Sequence, residues 1–256
     1  MPFSDTGLVE LLHETALAVR AALEGVDDWG LAGPDSGHGG QHLSDLAADA
    51  AALEVLGQAD VGVLSEESGW TGVDGSDVVV VVDPLDGSTN AAHGIPWFAT
   101  SLCAVDREGL RAALVVDLPH GRTYTALRGM GAAVDGVPIR PSTCTDTRDA
   151  FVGISGLPAR PLGWRQFRSL GAAALDLCAV AEGVLDAYVD CSVSAHGPWD
   201  YLAGVLVCIE AGAIVGDALG RELVALDPEA RRTPMAAATQ PLFHALAANR
   251  RELADQ

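Results

Sequence analysis

The chain has 256 residues, 49% of them hydrophobic, and carries 35 acidic against 15 basic side chains for a formal net charge of −20. So acidic a surface repels nucleic acid and anionic membranes, and no apolar run reaches the about 18 to 20 residues that a membrane span needs, so a small-molecule partner is expected. Every basic residue is an arginine, which excludes Schiff-base and P-loop lysine chemistry.

From the N-terminus, Leu8, Leu11, Leu12, Ala16, Val19 and Leu23 recur at helical spacing behind Ser4 and Asp5 as caps. Acids stand where a signal peptide would carry basic residues, so a cytoplasmic protein is expected. A glycine-rich loop around His38 leads to a second helix over 43–56, whose spacing predicts that Leu43, Leu46, Ala47, Ala50 and Leu53 are buried and puts Asp45 and Asp49 one turn apart on another face. The short strand "VGVL" ends at "SEES", and the strand Val78–Val82 runs into "DPLDGSTN". Turn signals at hairpin spacing through 99–140 then predict an antiparallel meander. Beyond Asp149, strands and helices alternate: "AFVGIS", a helix from Gly171, "DAYVD", a helix from Pro198, "IVGD", and a last helix after Pro241. The fold class expected is α/β, as one domain over 1–256 with an antiparallel half over about 1–146 and an α/β half over about 147–256. Five widely spaced cysteines in mostly apolar surroundings predict neither disulfides nor a metal knot.

The junction at Asp83 carries the chemistry. A strand buried on both faces delivers its last residue to a sheet edge, where sites in α/β folds form. Pro84 stiffens the turn, so that Asp83, the Leu85 carbonyl and Asp86 converge as hard oxygen donors of the kind Mg²⁺ takes. Gly87 permits close backbone approach, and the Gly87 and Ser88 amides at a helix start suit phosphate oxygens.

"SEES" (65–68), "DPLDGSTN" (83–90) and "PWDYLAG" (198–204), with the segments 171–188 and 210–220, resemble the motifs of the inositol monophosphatase family of Mg²⁺-dependent, lithium-sensitive phosphatases. The resemblance runs over nearly the whole chain in order. It implies a layered αβαβα sugar-phosphatase fold, a homodimer, and a phosphomonoesterase that hydrolyses inositol 1-phosphate or a similar small polyol or sugar phosphate by attack of an activated water. By motif position it assigns Glu67, Asp83, Leu85, Asp86 and Asp200 to two or three Mg²⁺ ions, and Glu67, Ser88 and Asp49 to water activation. Asp86 and Asp200 would also bind the substrate, with the Gly87 and Ser88 amides on its phosphate oxygens and Gly171, Ala172 and Ala173 on its alcohol side.

Three departures stand out. The second-helix motif reads "DLAAD"; the lysine often found in the preceding loop is absent, with His38 near its place; and "DCSVSAHG" lacks the glutamate that grips inositol, leaving Asp190 and His196 as candidate substrate contacts. Trp97 and Trp199 read as packing residues and Asp176 as a buried, hydrogen-bonded acid. The same chemistry on histidinol phosphate, fructose 1,6-bisphosphate or 3′-phosphoadenosine 5′-phosphate is the main alternative. A haloacid-dehalogenase-like phosphatase, disfavoured by the extra residue between the two aspartates, and a non-catalytic metal- or phosphate-responsive binding protein complete the set.

Overall fold

The computed structural model of the chain describes residues 3–27, 29–30, 42–192 and 195–254, with side chains up to 250; His38 lies outside the described residues. Ser4 opens helix α1 (Asp5–Glu24) by accepting from the Gly7 amide at 3.1 Å, one of the amides a helix start leaves unpaired. Leu8, Leu12, Ala16, Val19 and Leu23 form its buried stripe, as expected. Helix α2 (Leu43–Leu56) departs from expectation. Its buried face holds Ser44, Asp45, Ala48, Asp49, Ala52 and Leu56, while Leu43 and Ala50 are exposed. Periodicity misreads this helix because its inner face mixes acids with alanines: hydroxyl partners make the burial of Asp49 tolerable, and the alanines allow close approach to the sheet.

The first sheet contains β1 (Gly62–Ser65), β2 (Gly69–Gly72), β3 (Val79–Asp86), β4 (Ala99–Asp106), β5 (Gly109–Asp117), β6 (Arg122–Leu127), β7 (Gly131–Val134) and β8 (Val137–Pro138) in the order β2-β1-β3-β4-β5-β6-β7-β8. Only β1 and β3 run parallel; from β3 onward it is the predicted meander. Along β3, Val80 and Val82 pack toward α1 and α2 while Val79 and Val81 pack to the other side, so both faces are covered. Each such buried valine contributes about 1.5–3 kcal/mol. The short helix α3 (Ser88–Ala92) lies between β3 and β4.

The second sheet is built from β9 (Phe151–Ser155), β10 (Gln166–Arg168), β11 (Ala187–Asp190), β12 (Ile214–Asp217) and β13 (Pro234–Ala237), in the order β10-β9-β11-β13-β12. Helices α4 (Ala173–Glu182) and α5 (Pro198–Ala211) fill the space between the sheets, and α6 (Gln240–Ala254) covers the outer face with Leu242 and Leu246. The layers are therefore α1/α2, sheet, α4/α5, sheet, α6, the expected αβαβα arrangement. Strand β13 escapes sequence reading because "PMAA" has no β-branched or aromatic residue. The five cysteines are free, and no described helix is long and apolar enough to cross a membrane.

Candidate active site

Strand register decides which acids meet. Ser65 on β1 pairs with Val82 on β3, and the Glu66 amide extends the ladder by donating to the Val82 carbonyl at 3.1 Å. The next position therefore sets Glu66 beside Asp83. Glu66, Asp83 and Asp200 each offer a carboxylate oxygen, all within 4.8 Å of one another. Glu67, which the motif assigns to the cation, is the next residue in the turn toward β2 and stands outside this group of three, and its charge acts on Glu66.

A bulge brings the two aspartates of "DPLD" to one side. Asp83 faces Ser101 and Asp86 faces Ala99, so three steps along β3 match two along β4. In a regular strand, residues three apart point to opposite faces; the extra residue cancels that alternation. The Leu85 amide donates to Asp83 Oδ1 at 3.0 Å and the Thr100 hydroxyl donates to the Pro84 carbonyl at 3.0 Å, fixing the bend.

The other anchors come from helix starts. Asp200 lies in the first turn of α5 behind Pro198, where its Oδ2 accepts from the Gly197 amide at 2.7 Å. Asp86 Oδ2 accepts from the Ala174 amide at 2.8 Å, in the first turn of α4. Left to themselves these carboxylates resist ionisation. Burial, then the charges of Glu66, Asp86 and Asp200, hold Asp83 well above the usual range. Burial followed by the charge of Asp200 pushes Asp86 up to about 7, and burial pushes Asp200 up to about 6 against the opposing pull of His196. Glu66 is exposed, yet desolvation of its crowded carboxyl and the charges of Asp200 and Glu67 push it up to about 8. An all-oxygen donor set with excess negative charge fits a hard divalent cation.

Ser88 finds a different partner from the one its motif implies. Asp49 accepts from the hydroxyls of Ser65 and Ser68. It is Asp45, one turn earlier on the same buried face, whose carboxyl Ser88 favours in its charged form. Burial nevertheless raises Asp45 overall, and its Oδ1 has no hydrogen-bond partner among the described residues. Asp45→Asn is therefore expected to lower kcat about 100-fold or more with little change in Tm, as for a lost acid–base partner, whereas Asp49→Ala unpairs two hydroxyls and lowers stability by about 1–3 kcal/mol. Steady-state kinetics and thermal melting on both variants check the exchange of roles.

The glycine loop is tightly braced. Gly87 takes the left-handed conformation (φ 87°) at the start of α3, and a Cβ there would stand 3.1 Å from the Trp97 carbonyl oxygen and 3.2 Å from both Ala172 Cβ and the Gly171 oxygen. Asn90, which motif reading passed over, donates through Nδ2 to the Trp97 and Leu170 carbonyls, each at 2.8 Å. Of the three residues assigned to the alcohol side only Gly171 is exposed; Ala172 and Ala173 are buried in the core, Ala172 bracing Gly87. Trp97 donates to Asp176 Oδ1 at 3.0 Å, which accounts for that buried acid. His196 Nδ1 and Asp190 Oδ2 are 2.8 Å apart; burial lowers the imidazole, but the bond to Asp190 and the charge of Asp200 outweigh it and leave it raised.

Carboxylates gathered around a common point beside a glycine-opened loop, on a five-layered α/β frame, form a site suited to a cation and an anionic ester, and the family match makes the class a phosphoric monoester hydrolase. The chain belongs to the inositol monophosphatase family, which its residues 44–254 match. The chloroplastic phosphatase IMPL1 of Arabidopsis thaliana is 37% identical over 195 residues, 67% of this chain and 52% of that protein, so the match spans about half the plant relative's length. The Nus factor SuhB of Escherichia coli K12 is 31% identical over 230 residues, 83% of this chain and 80% of that one. A solved structure from Pyrococcus horikoshii, described as having similarities to inositol-1 monophosphatase, superposes with a TM-score of 0.79 at 26% identity over 94% of this chain and 96% of its own.

Proposed function

We propose that the protein is a Mg²⁺-dependent phosphomonoesterase acting on inositol 1-phosphate or a similar small polyol or sugar phosphate. The observation that carries this reading is the set of Glu66, Asp83 and Asp200 oxygens within 4.8 Å of one another beside the Gly87–Ser88 loop. These three residues with Asp86 would hold the cation, which supplies charge to neutralise phosphoryl oxygens and acidify water. The chain's own groups do the rest. The Gly87 and Ser88 amides receive phosphate oxygens; Ser88 Oγ accepts a proton from the attacking water and passes its own to Asp45 Oδ1. Two or three Mg²⁺ ions, a single folding unit, a homodimer and a cytoplasmic setting belong to the proposal through the family resemblance.

A second reading has one observation in its favour: the SuhB relatives are named Nus factors and not phosphatases. On that reading the site binds without turning over. Phosphate release with Mg²⁺ across inositol 1-phosphate, histidinol phosphate, fructose 1,6-bisphosphate, 3′-phosphoadenosine 5′-phosphate and an aryl phosphate separates the two. The expected result is turnover of a polyol or sugar ester that EDTA abolishes and millimolar-range Li⁺ inhibits. Undiminished turnover in EDTA overturns the metal assignment, and Mg²⁺ binding without any hydrolysis favours the binding reading.

A further inference from the structure

A joint of side chains backs the glycine loop, and the proposed chemistry leaves it unused. Its centre is Asn90 on α3, whose Nδ2 donates at 2.8 Å both to the Trp97 carbonyl, ahead of β4, and to the Leu170 carbonyl, ahead of α4. The two hydrogens of one amide thus join the loop of the first sheet to the segment that leads into α4. The fit is close: a Cβ on Gly171 would stand 3.1 Å from Asn90 Nδ2. Trp97 completes the joint. Its carbonyl receives Asn90 and lies against Gly87, while its indole Nε1 donates to Asp176 Oδ1 at 3.0 Å. A covered indole N–H needs some acceptor. What is particular here is the acceptor's place, because Asp176 is fully buried in the first turn of α4, and that same turn supplies the Ala174 amide from which Asp86 Oδ2 accepts at 2.8 Å.

The glycine loop and the carboxylates are therefore fastened to one helix turn by two separate bonds. Ala174 holds Asp86, and Asp176 holds Trp97. We propose that Trp97 and Asp176 are positioning residues for the reaction: their bond, acting through the Trp97 carbonyl and Asn90, sets where the Gly87 and Ser88 amides stand relative to the carboxylates. The inference rests on the phosphatase reading and adds to it a pair that acts on placement alone. Placement is where rate is most easily lost, since a shift of about 1 Å between reacting groups costs about 100-fold.

The test uses Trp97→Phe, which keeps a ring but loses the donor, Asp176→Leu, which keeps the branched shape but loses the acceptor, the double variant, and Asp176→Asn, which keeps an acceptor oxygen. On each, kcat is measured with the ester of the panel that the wild type turns over fastest, and calorimetry gives the affinity for inorganic phosphate in Mg²⁺ and for Mg²⁺ alone. In both single variants kcat is expected to fall about 30- to 100-fold and phosphate to bind about 10-fold more weakly. Mg²⁺ affinity changes less than about threefold, because Asp86 keeps its bond to Ala174. The double variant loses no more activity than either single one, since both remove one shared interaction, yet it melts above them because no buried group is left unpaired. Asp176→Asn recovers most of the loss. A packing contact would instead let kcat and phosphate affinity recover along with melting temperature in the double variant. That recovery overturns the inference, as do folded single variants with unchanged kcat and phosphate affinity, or a loss of Mg²⁺ affinity equal to that of phosphate; each leaves the phosphatase reading intact. A wild type that hydrolyses nothing removes the phosphatase reading and this inference together.

Discussion

Asp83→Asn is expected to lower phosphatase turnover about 1,000-fold or more, because a bound cation stabilises the transition state by several kcal/mol and each 1.36 kcal/mol is a factor of ten. The substitution keeps the local frame: the remaining amide oxygen still accepts from the Leu85 amide. Without metal its effect on stability runs the other way. Asp200, Asp86 and Glu66 are raised to about 6, about 7 and about 8 from ordinary values of 3.8, 3.8 and 4.5, and Asp83 is raised well above 3.8. The folded protein then keeps protons that the unfolded chain releases. Stability is greatest below about pH 4 and is lost as pH rises toward about 8. In EDTA the wild type should therefore melt at a lower temperature at pH 8 than at pH 5, Mg²⁺ should cancel the fall, and Asp83→Asn should flatten it. Thermal melts across that range decide the matter; a wild-type Tm that climbs from pH 5 to pH 8 in EDTA contradicts the account.

Gly87→Ala should damage both fold and chemistry. A left-handed φ of 87° costs a side-chain-bearing residue about 1 kcal/mol, and a Cβ between the Trp97 and Gly171 carbonyl oxygens meets backbone that has little room to move. A total loss of about 2–3 kcal/mol is expected. A loop shift of the order of 1 Å at the phosphate cradle adds a fall of about 100-fold in kcat. Gly94→Ala is the control: its φ of 70° carries the same conformational cost, but no atom lies within 4 Å of the added Cβ, so turnover should hold. Comparable loss of kcat in the two variants would mean that conformational strain alone, and not crowding at the cradle, governs the effect.

Much of this was readable in one dimension. "DPLDGSTN" and "PWD" named Asp83, Asp86, Gly87, Ser88 and Asp200, and alternation of runs and turns yielded the layers. What motif spacing leaves open has a common cause. Choosing between Glu66 and Glu67 depends on how β1 registers against β3, a relation between strands about seventeen residues apart. Choosing between Asp45 and Asp49 depends on which face of α2 turns inward, and hydrophobic periodicity points the wrong way on a helix whose buried face carries acids beside alanines. The bulge that aligns Asp83 with Asp86 appears only when β4 is laid beside β3. In each case the deciding contact lies between elements, and motif spacing within one element does not record it.

The carboxylate cluster straddles a seam. Glu66 and Asp83 ride on the first sheet, while Asp200 and the amide that holds Asp86 belong to the helices sandwiched between the sheets. Evolutionary freedom is partitioned accordingly. Insertions at the outer margins of the two sheets, along β2, β8, β10 or β12, leave the distances among these oxygens untouched. A slide of α4 or α5 by a fraction of a turn alters them at once, so selection for chemistry acts on how the two sheets are stacked.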